Sequence, residues 1–260
     1  MVGAAPEEVA SRPCWEFFPY ATARCPFAGP HADVDRSERL LLRRDGTEVP
    51  VLKTARRLRT GDGEKLVETL VDLTDRKRLE EELYRLSVTD HLTGAYNRRY
   101  FVEMLEREVE RARRTGRTFS LIMFDLDRFK SINDRFGHAA GDRVLKDVVS
   151  AFKERLRKTD CLARWGGEEF VILLPDTGVE GAAVLAEELR RKLNEIEVPG
   201  VGRVTASFGV TGYHSGDTVD AVTQRVDGAL YRAKGNGRNC VCIEDRENHI
   251  PSGRSGRAGE

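Results

Sequence analysis

The chain has 260 residues, 40% hydrophobic and 33% charged, enough for one large globular domain or two modest ones. Its 43 basic and 43 acidic residues cancel, so no overall field draws it to nucleic acid or to an anionic membrane, and neither partner is expected. No apolar run reaches the ~18–20 residues of a membrane span, and the opening MVGAAPEEVA lacks the basic lead and apolar core of a signal peptide. A cytoplasmic protein is expected. The five cysteines (Cys14, Cys25, Cys161, Cys240 and Cys242) are odd in number and show no CxxC spacing, which argues against a disulfide scaffold or zinc site. Cys240 and Cys242 share one strand face and read as small core or edge residues.

Residues 1–36 hold many of the prolines and little periodicity, and read as an irregular N-terminal segment. From Arg39, LLLRRDGTEVPVLKTARRL reads as strand, turn, strand, with Asp45-Gly46 as the hairpin signal. A second turn at Thr60-Gly61-Asp62-Gly63 leads into a strand ending LVETLVDLT. Residues 37–74 are therefore a small antiparallel sheet. Thr74 or Asp75 is suited to cap the helix over 75–90. There Leu79, Leu83 and Leu86 recur at four and three, a short coiled-coil-like seam that serves either packing or a dimeric linker.

The second domain, 91–245, has a turn-rich lead-in, VTDHLTGAYNRRYF, from Ser87's neighbour onward. A helix is expected around Phe101–Arg114, then a near-continuous apolar strand, Phe119–Asp125, suited to the centre of a covered sheet. Gly141–Lys158 reads as a helix with Val144, Leu145, Val148, Phe152 and Leu156 on one face. Leu162–Trp165 and Phe170–Leu174 read as strands on either side of Gly166-Gly167. A helix (179–197), a strand (203–213), a helix (217–234) and a last strand (240–244) follow. The tail 246–260 has a disordered composition. Interleaved strands and helices predict an α/β sandwich with a mixed central sheet.

Three segments carry chemistry. In RWGGEEFVILLP, a Gly-Gly hairpin allows close backbone approach to a ligand and projects Glu168 and Glu169. Two adjacent acids repel unless a cation neutralises them, and a hard ion such as Mg²⁺ prefers carboxylate oxygens. The alternative is a solvated acidic hairpin. In FDLDRFKSINDRFGHAAGD, Asp125 and Asp127 end an apolar strand on one face, a common place for metal and phosphate chemistry. Asp127 reads equally as a solvated residue. Asn133 and Asp142 offer groups suited to a purine edge, although Asp142 could instead cap its own helix. In LYRAKGNGRN, Lys234 and Arg238 follow a helix and could reach phosphates. Basic residues near a helix C-terminus are also ordinary.

Taken in order, TDHLTGAYNRRYF, FDLDRFKSINDRFGHAAGD, RWGGEEF, TASFGV and ALYRAKGNGRN resemble the diguanylate cyclase catalytic domain, the GGDEF family, in its GGEEF form. The resemblance implies a palm fold like that of nucleotide cyclases. It implies condensation of two GTP into cyclic di-GMP and two pyrophosphates, dependent on Mg²⁺ with Mn²⁺ able to substitute. It also implies residue roles. Asp125 would hold the metal by its side chain and Leu126 by its carbonyl. Glu168 would be metal ligand and general base toward the 3′-hydroxyl, and Glu169 would assist. Asn133 and Asp142 would recognise guanine. Phe129, Lys130 and His138 would line the nucleotide, Lys234 and Arg238 would bind phosphates, and Gly166 and Gly167 would make room for GTP. One domain holds one GTP, so a homodimer is expected for activity.

Arg157-Lys158-Thr159-Asp160, just before the hairpin, resembles the family's RxxD inhibitory site. Arg157 and Asp160 would then bind cyclic di-GMP and give product inhibition; the alternative is a surface salt bridge. The 37–83 stretch resembles the closing half of a PAS domain leading into a signalling helix, with too little chain in front for the full fold. His31, its only histidine, reads as solvent-facing. The main competing function is a catalytically silent receptor for cyclic di-GMP. A cyclase of different base preference is a further one, against which Asn133 and Asp142 argue. No helix-turn-helix or basic stripe supports DNA binding.

Overall fold

The computed structural model describes residues 34–244 continuously and, ahead of them, residues 3, 5–10, 12 and 14–18. Cys25, His31 and the tail 246–260 lie outside the described residues. The chain divides into two compact units, Met1–Arg85 and Leu86–Glu260.

The first unit opens with a helical turn, α1 (Pro6–Ala10), and a 3₁₀ turn at Cys14–Phe17, within a segment the sequence suggests is irregular. An antiparallel sheet follows in the order β1 (Val34–Leu42), β2 (Glu48–Thr60), β3 (Gly63–Asp72). Its first strand starts at Val34, earlier than the expected Arg39. The first hairpin turns at Asp45-Gly46: the Asp45 carboxylate accepts the Thr47 N–H at 2.9 Å and Gly46 takes φ 82°, which glycine tolerates. β2 buries alternate residues, and Val49 and Val51 pack with Leu41, Phe17 and Phe18 into a small core. The amphipathic Lys53 is buried on the same face, its ammonium 2.8 Å from Glu68 and 4.8 Å from the centre of the Phe18 ring.

Helix α2 (Thr74–Val88) follows. At its start the Asp72 carboxylate accepts the Thr74 N–H at 2.8 Å. Leu79, Leu83 and Leu86 are 61%, 67% and 55% exposed.

The second unit contains β4 (Tyr96–Asn97), α3 (Arg98–Thr115), β5 (Phe119–Leu126), α4 (Phe129–Phe136) and α5 (His138–Lys153). It continues with β6 (Cys161–Gly166), β7 (Glu169–Pro175), α6 (Val179–Glu195), β8 (Glu197–Val198) and β9 (Gly202–Arg203), and ends with β10 (Ala206–Gly212), α7 (Val219–Gly235) and β11 (Val241–Ile243). Six strands form one sheet in the order β11-β10-β5-β7-β6-β4. β5 pairs antiparallel with both neighbours, while β11 and β4 add parallel edges, so the sheet is mixed as predicted.

Period-two alternation divides the core. Ile122, Phe124 and Leu126 face α5 and α6 with Val144, Val148, Phe152 and Leu189. Leu121 and Met123 face α3 and α7 with Phe101, Leu105, Val226 and Leu230. Phe124 anchors the first face, stacked 5.1 Å from Phe170 and 5.3 Å from Phe208. On the other face α7 crosses β10 at backbone contact: a Cβ on Gly209 would lie 2.3 Å from Leu230 N and 2.5 Å from Val226 O.

Boundaries differ from expectation chiefly at α5, which runs His138–Lys153 rather than Gly141–Lys158. The Gly137 break starts it early, and the chain turns after Lys153, where the Arg155 and Leu156 N–H groups both return to the Phe152 carbonyl.

Candidate active site

Because β5 alternates, Asp125 points toward the α7 side, where it meets that helix's last turn. Lys234 Nζ lies 2.8 Å from Asp125 Oδ2 and 3.9 Å from Glu169 Oε1. Burial pushes the Asp125 carboxyl above the ordinary aspartate range. Lys234 pulls it back, and the charges of Glu168 and Glu169 push it up again. Three carboxylates and one ammonium therefore share a half-buried site at the end of the central strand.

The acidic hairpin differs in detail from its sequence reading. β6 continues through Gly166, which pairs with Glu169, and the two-residue turn is Gly167-Glu168. A bulge between Arg164 and Gly166 takes up one residue and moves the turn on by one. Gly167 occupies the left-handed region at φ 47°. Glu168 is thus a turn residue and Glu169 the first residue of β7. The Leu126 N–H donates to the Glu168 carbonyl at 3.4 Å, laying the turn against the end of β5.

Arg164 holds this turn from behind. Its Nε donates to the Gly167 carbonyl at 2.8 Å and its Nη1 to Asp90 Oδ1 at 3.2 Å. Asp90 also accepts the Thr93 N–H at 2.9 Å and hydroxyl at 2.7 Å. Burial raises the Asp90 carboxyl, but the Thr93 hydrogen bonds and the Arg164 charge outweigh it and hold it below the usual range.

The residues assigned to guanine meet where α4 and α5 approach. Asn133 is half-buried, with its side chain over Gly141; Asp142 follows and is exposed. Asp142 lies in the second turn of a helix whose N-cap is Gly137, so it does not cap that helix. Phe129 is 7% exposed, packed in the core with its ring against Gly141, while Lys130 and His138 are exposed. Gly166, Gly167 and Arg238 are also exposed, and Leu126 is buried.

Farther along, Arg157 and Asp160 close a tight turn. Asp160 Oδ2 accepts the Arg157 N–H at 2.8 Å, and the Asp160 N–H donates to the Arg157 carbonyl at 3.0 Å. The carboxylate meets the Arg157 backbone, and the Arg157 side chain is exposed. Both residues line a cleft of about 330 Å³ with Tyr96, Lys153, Leu156 and Leu162.

Among the described residues, no three histidine, cysteine or acidic side chains form a closed metal cage. The donors at the end of β5 nevertheless fit a hard divalent ion. Asp125, Glu168 and Glu169 offer carboxylate oxygens, and the Lys234 ammonium already stands as a cation between two of them.

Sequence reasoning missed Asp90 and Arg164 as supports, although both sit inside quoted motifs. It left Asp127 open between a strand-end carboxylate suited to metal or phosphate chemistry and a solvated residue, and did not see it as a buried acceptor. Asp127 is buried and accepts three hydrogen bonds. Its position two residues after Asp125 was the available signal.

Comparison with known proteins agrees with this geometry. The family model "Diguanylate cyclase, GGDEF domain" matches residues 87–240. Diguanylate cyclase DgcM of Escherichia coli K12 is 42% identical over 180 residues, covering 69% of this chain and 44% of that protein. The chain thus spans less than half the length of that relative. The coiled coil and GGDEF domain of DgcB from Caulobacter crescentus, solved in complex with c-di-GMP, gives a TM-score of 0.62 at 32% identity, over 66% of this chain and 94% of that one. The active GGEEF domain of a diguanylate cyclase from Vibrio cholerae gives 0.55 at 39% identity, over 56% and 96%. With its motifs assembled at the end of β5 and the family match covering more than half its length, this chain belongs to the GGDEF diguanylate cyclase family.

Proposed function

We propose that this protein is a diguanylate cyclase that condenses two GTP into cyclic di-GMP and two pyrophosphates. What supports the reading is one arrangement: Glu168 on the hairpin turn beside Asp125, with Lys234 between Asp125 and Glu169.

In this reading Mg²⁺, or Mn²⁺ in its place, would be held by Asp125, the Leu126 carbonyl, Glu168 and Glu169. It would supply positive charge to the triphosphate and make the 3′-hydroxyl easier to deprotonate. Glu168 takes the proton of that hydroxyl at its carboxylate. Lys234 and Arg238 offset charge developing on the departing pyrophosphate. Asn133 and Asp142 bind the guanine edge over the Phe129 side of α4, with Lys130 and His138 beside the nucleotide. Gly166 and Gly167 leave room for GTP above the hairpin.

Two such domains must face one another, since each holds one GTP. The exposed Leu79, Leu83 and Leu86 of α2 are suited to pair the chains as a homodimer. The front sheet is read as the closing part of a PAS-like module, and the protein as cytoplasmic. Arg157 and Asp160 bind the product and inhibit.

The test is incubation of purified protein, stripped of bound cyclic di-GMP, with GTP and Mg²⁺, and chromatography of the product alongside Glu168→Gln. Product from the wild type and none from the variant is expected. Silence from stripped, dimeric wild-type protein would favour the cyclic di-GMP receptor.

A further inference from the structure

Two carboxylates two residues apart hold the two ends of one short segment. Asp125 binds the Lys234 side chain at 2.8 Å. Asp127 Oδ2 accepts the Asn239 backbone N–H at 3.0 Å. Its remaining capacity is used by β10 and the residue leading into it: the Thr205 hydroxyl donates to Oδ2 and the Ser207 hydroxyl to Oδ1, each at 2.7 Å. Asn239 is held from the other side by Arg190 of α6, whose Nη1 donates to Asn239 Oδ1 at 2.9 Å and to its carbonyl at 3.3 Å. Glu187 fixes that guanidinium through two 2.8 Å bonds to Nε and Nη2.

The segment between these clamps has an unusual backbone. φ is 100° at Gly237, 67° at Arg238 and 44° at Asn239. Two successive non-glycine residues in the left-handed region are rare, and persist where surrounding contacts hold them. Arg238 itself is exposed. A buried carboxylate is costly unless its oxygens are satisfied. Here it is spent on the shape of a surface loop whose cationic side chain points out of the core.

We propose that Asp127 is a positioning residue for the nucleotide's phosphates: by clamping Asn239 it maintains the left-handed turn that sets Arg238 relative to Lys234. This rests on the reading of Lys234 and Arg238 as phosphate-binding residues. Asp125 and Asp127 then divide the work, one meeting the cationic side chain at the start of the segment, the other its backbone at the end.

The test compares equilibrium binding of 3′-deoxy-GTP, which cannot condense, with binding of GMP, which lacks the outer phosphates. Asp127→Asn is expected to weaken 3′-deoxy-GTP about tenfold, the size of a lost charged hydrogen bond, and GMP by less than about twofold, the ordinary scatter of independent sites. Arg238→Ala should do the same, and the double variant no more than either alone. Equal loss of GMP and 3′-deoxy-GTP, or multiplicative effects in the double variant, would overturn the proposal. Should Asp127→Asn not fold, Arg190→Met removes the opposite clamp and must show the same GTP-selective loss. Wild-type cyclic di-GMP formation is followed in parallel. If it is absent the cyclase reading fails, while the binding ratio still decides the role of Asp127.

Discussion

The Asn133 side chain lies directly over Gly141: a Cβ at position 141 would stand 1.9 Å from Asn133 Oδ1. The absence of a side chain at position 141 is what leaves room for the amide there, one residue before Asp142. Gly141→Ala should therefore displace the flexible Asn133 amide and leave the helix intact. The gain in helix propensity, about 1 kcal/mol, offsets the crowding against Asn133 and Phe129. A melting temperature close to wild type is expected, with KM for GTP raised about tenfold for the lost hydrogen bonding. Steady-state kinetics with a melting curve check both halves.

Glu168 is expected to trade stability for chemistry. The folded Asp125 carboxyl lies above its ordinary value, first through burial, with Glu168 and Glu169 adding to the rise against Lys234. A carboxyl raised on folding favours the fold while protonated, and that contribution is lost as pH rises through the folded value. After burial, the charges of its acidic neighbours therefore oppose the ionised form of Asp125. Glu168→Gln removes one of them, so thermal melting at pH 7 should occur no lower than in the wild type. Turnover should fall about 10²–10⁴-fold with the proposed general base gone. A clear drop in melting temperature would contradict this account.

The Asp90–Arg164 pair joins residues 74 positions apart, and both side chains are mostly buried. Asp90→Asn leaves a charged guanidinium without its counter-ion behind the Glu168 turn, and should cost about 3 kcal/mol. The Asp90 carboxyl is held below its ordinary range. Its stabilising effect is thus fully present above the ordinary aspartate value and is lost as pH falls through the lower folded one. Denaturant melts should show the deficit at neutral pH and converge with wild type in strong acid.

Gly209 faces α7 at backbone distance, 2.3 Å from Leu230 N for a built Cβ. All three atoms it would meet, Leu230 N and Cα and Val226 O, are backbone, and none can rotate away. Gly209→Ala must push α7 off β10, and with it the Lys234 end of that helix. A loss of about 3 kcal/mol, at the upper end for overpacking, is expected together with a rise in KM for GTP. Gly166 meets nothing within 4 Å, so Gly166→Ala is a control that should leave the melting temperature unchanged.

Much of this molecule is legible one segment at a time. The near-continuous apolar run Phe119–Asp125 and the apolar face of Val144, Leu145, Val148 and Phe152 are local patterns, and they identify the central strand and its covering helix without a partner in view. The order of the motifs likewise assigns the family. Errors fell where geometry depends on a neighbour. The bulge before Gly166 shifted the turn by changing the register between β6 and β7, which no local pattern shows. α5 began at His138 because Gly137 breaks the chain there.

The amino-acid sequence alone determined the long strands and helices, the acidic hairpin and the residues suited to nucleotide chemistry, because periodicity and residue chemistry act over a few positions; α4 (Phe129–Phe136) and the two-residue strands β4, β8 and β9 carry no such pattern and were not foreseen. Tertiary packing decided how those residues are held. Asp127 reaches Asn239 across 112 positions, and Arg164 reaches Asp90 across 74. No local pattern encodes such pairings: a buried carboxylate takes whatever donors the folded chain brings within about 3 Å.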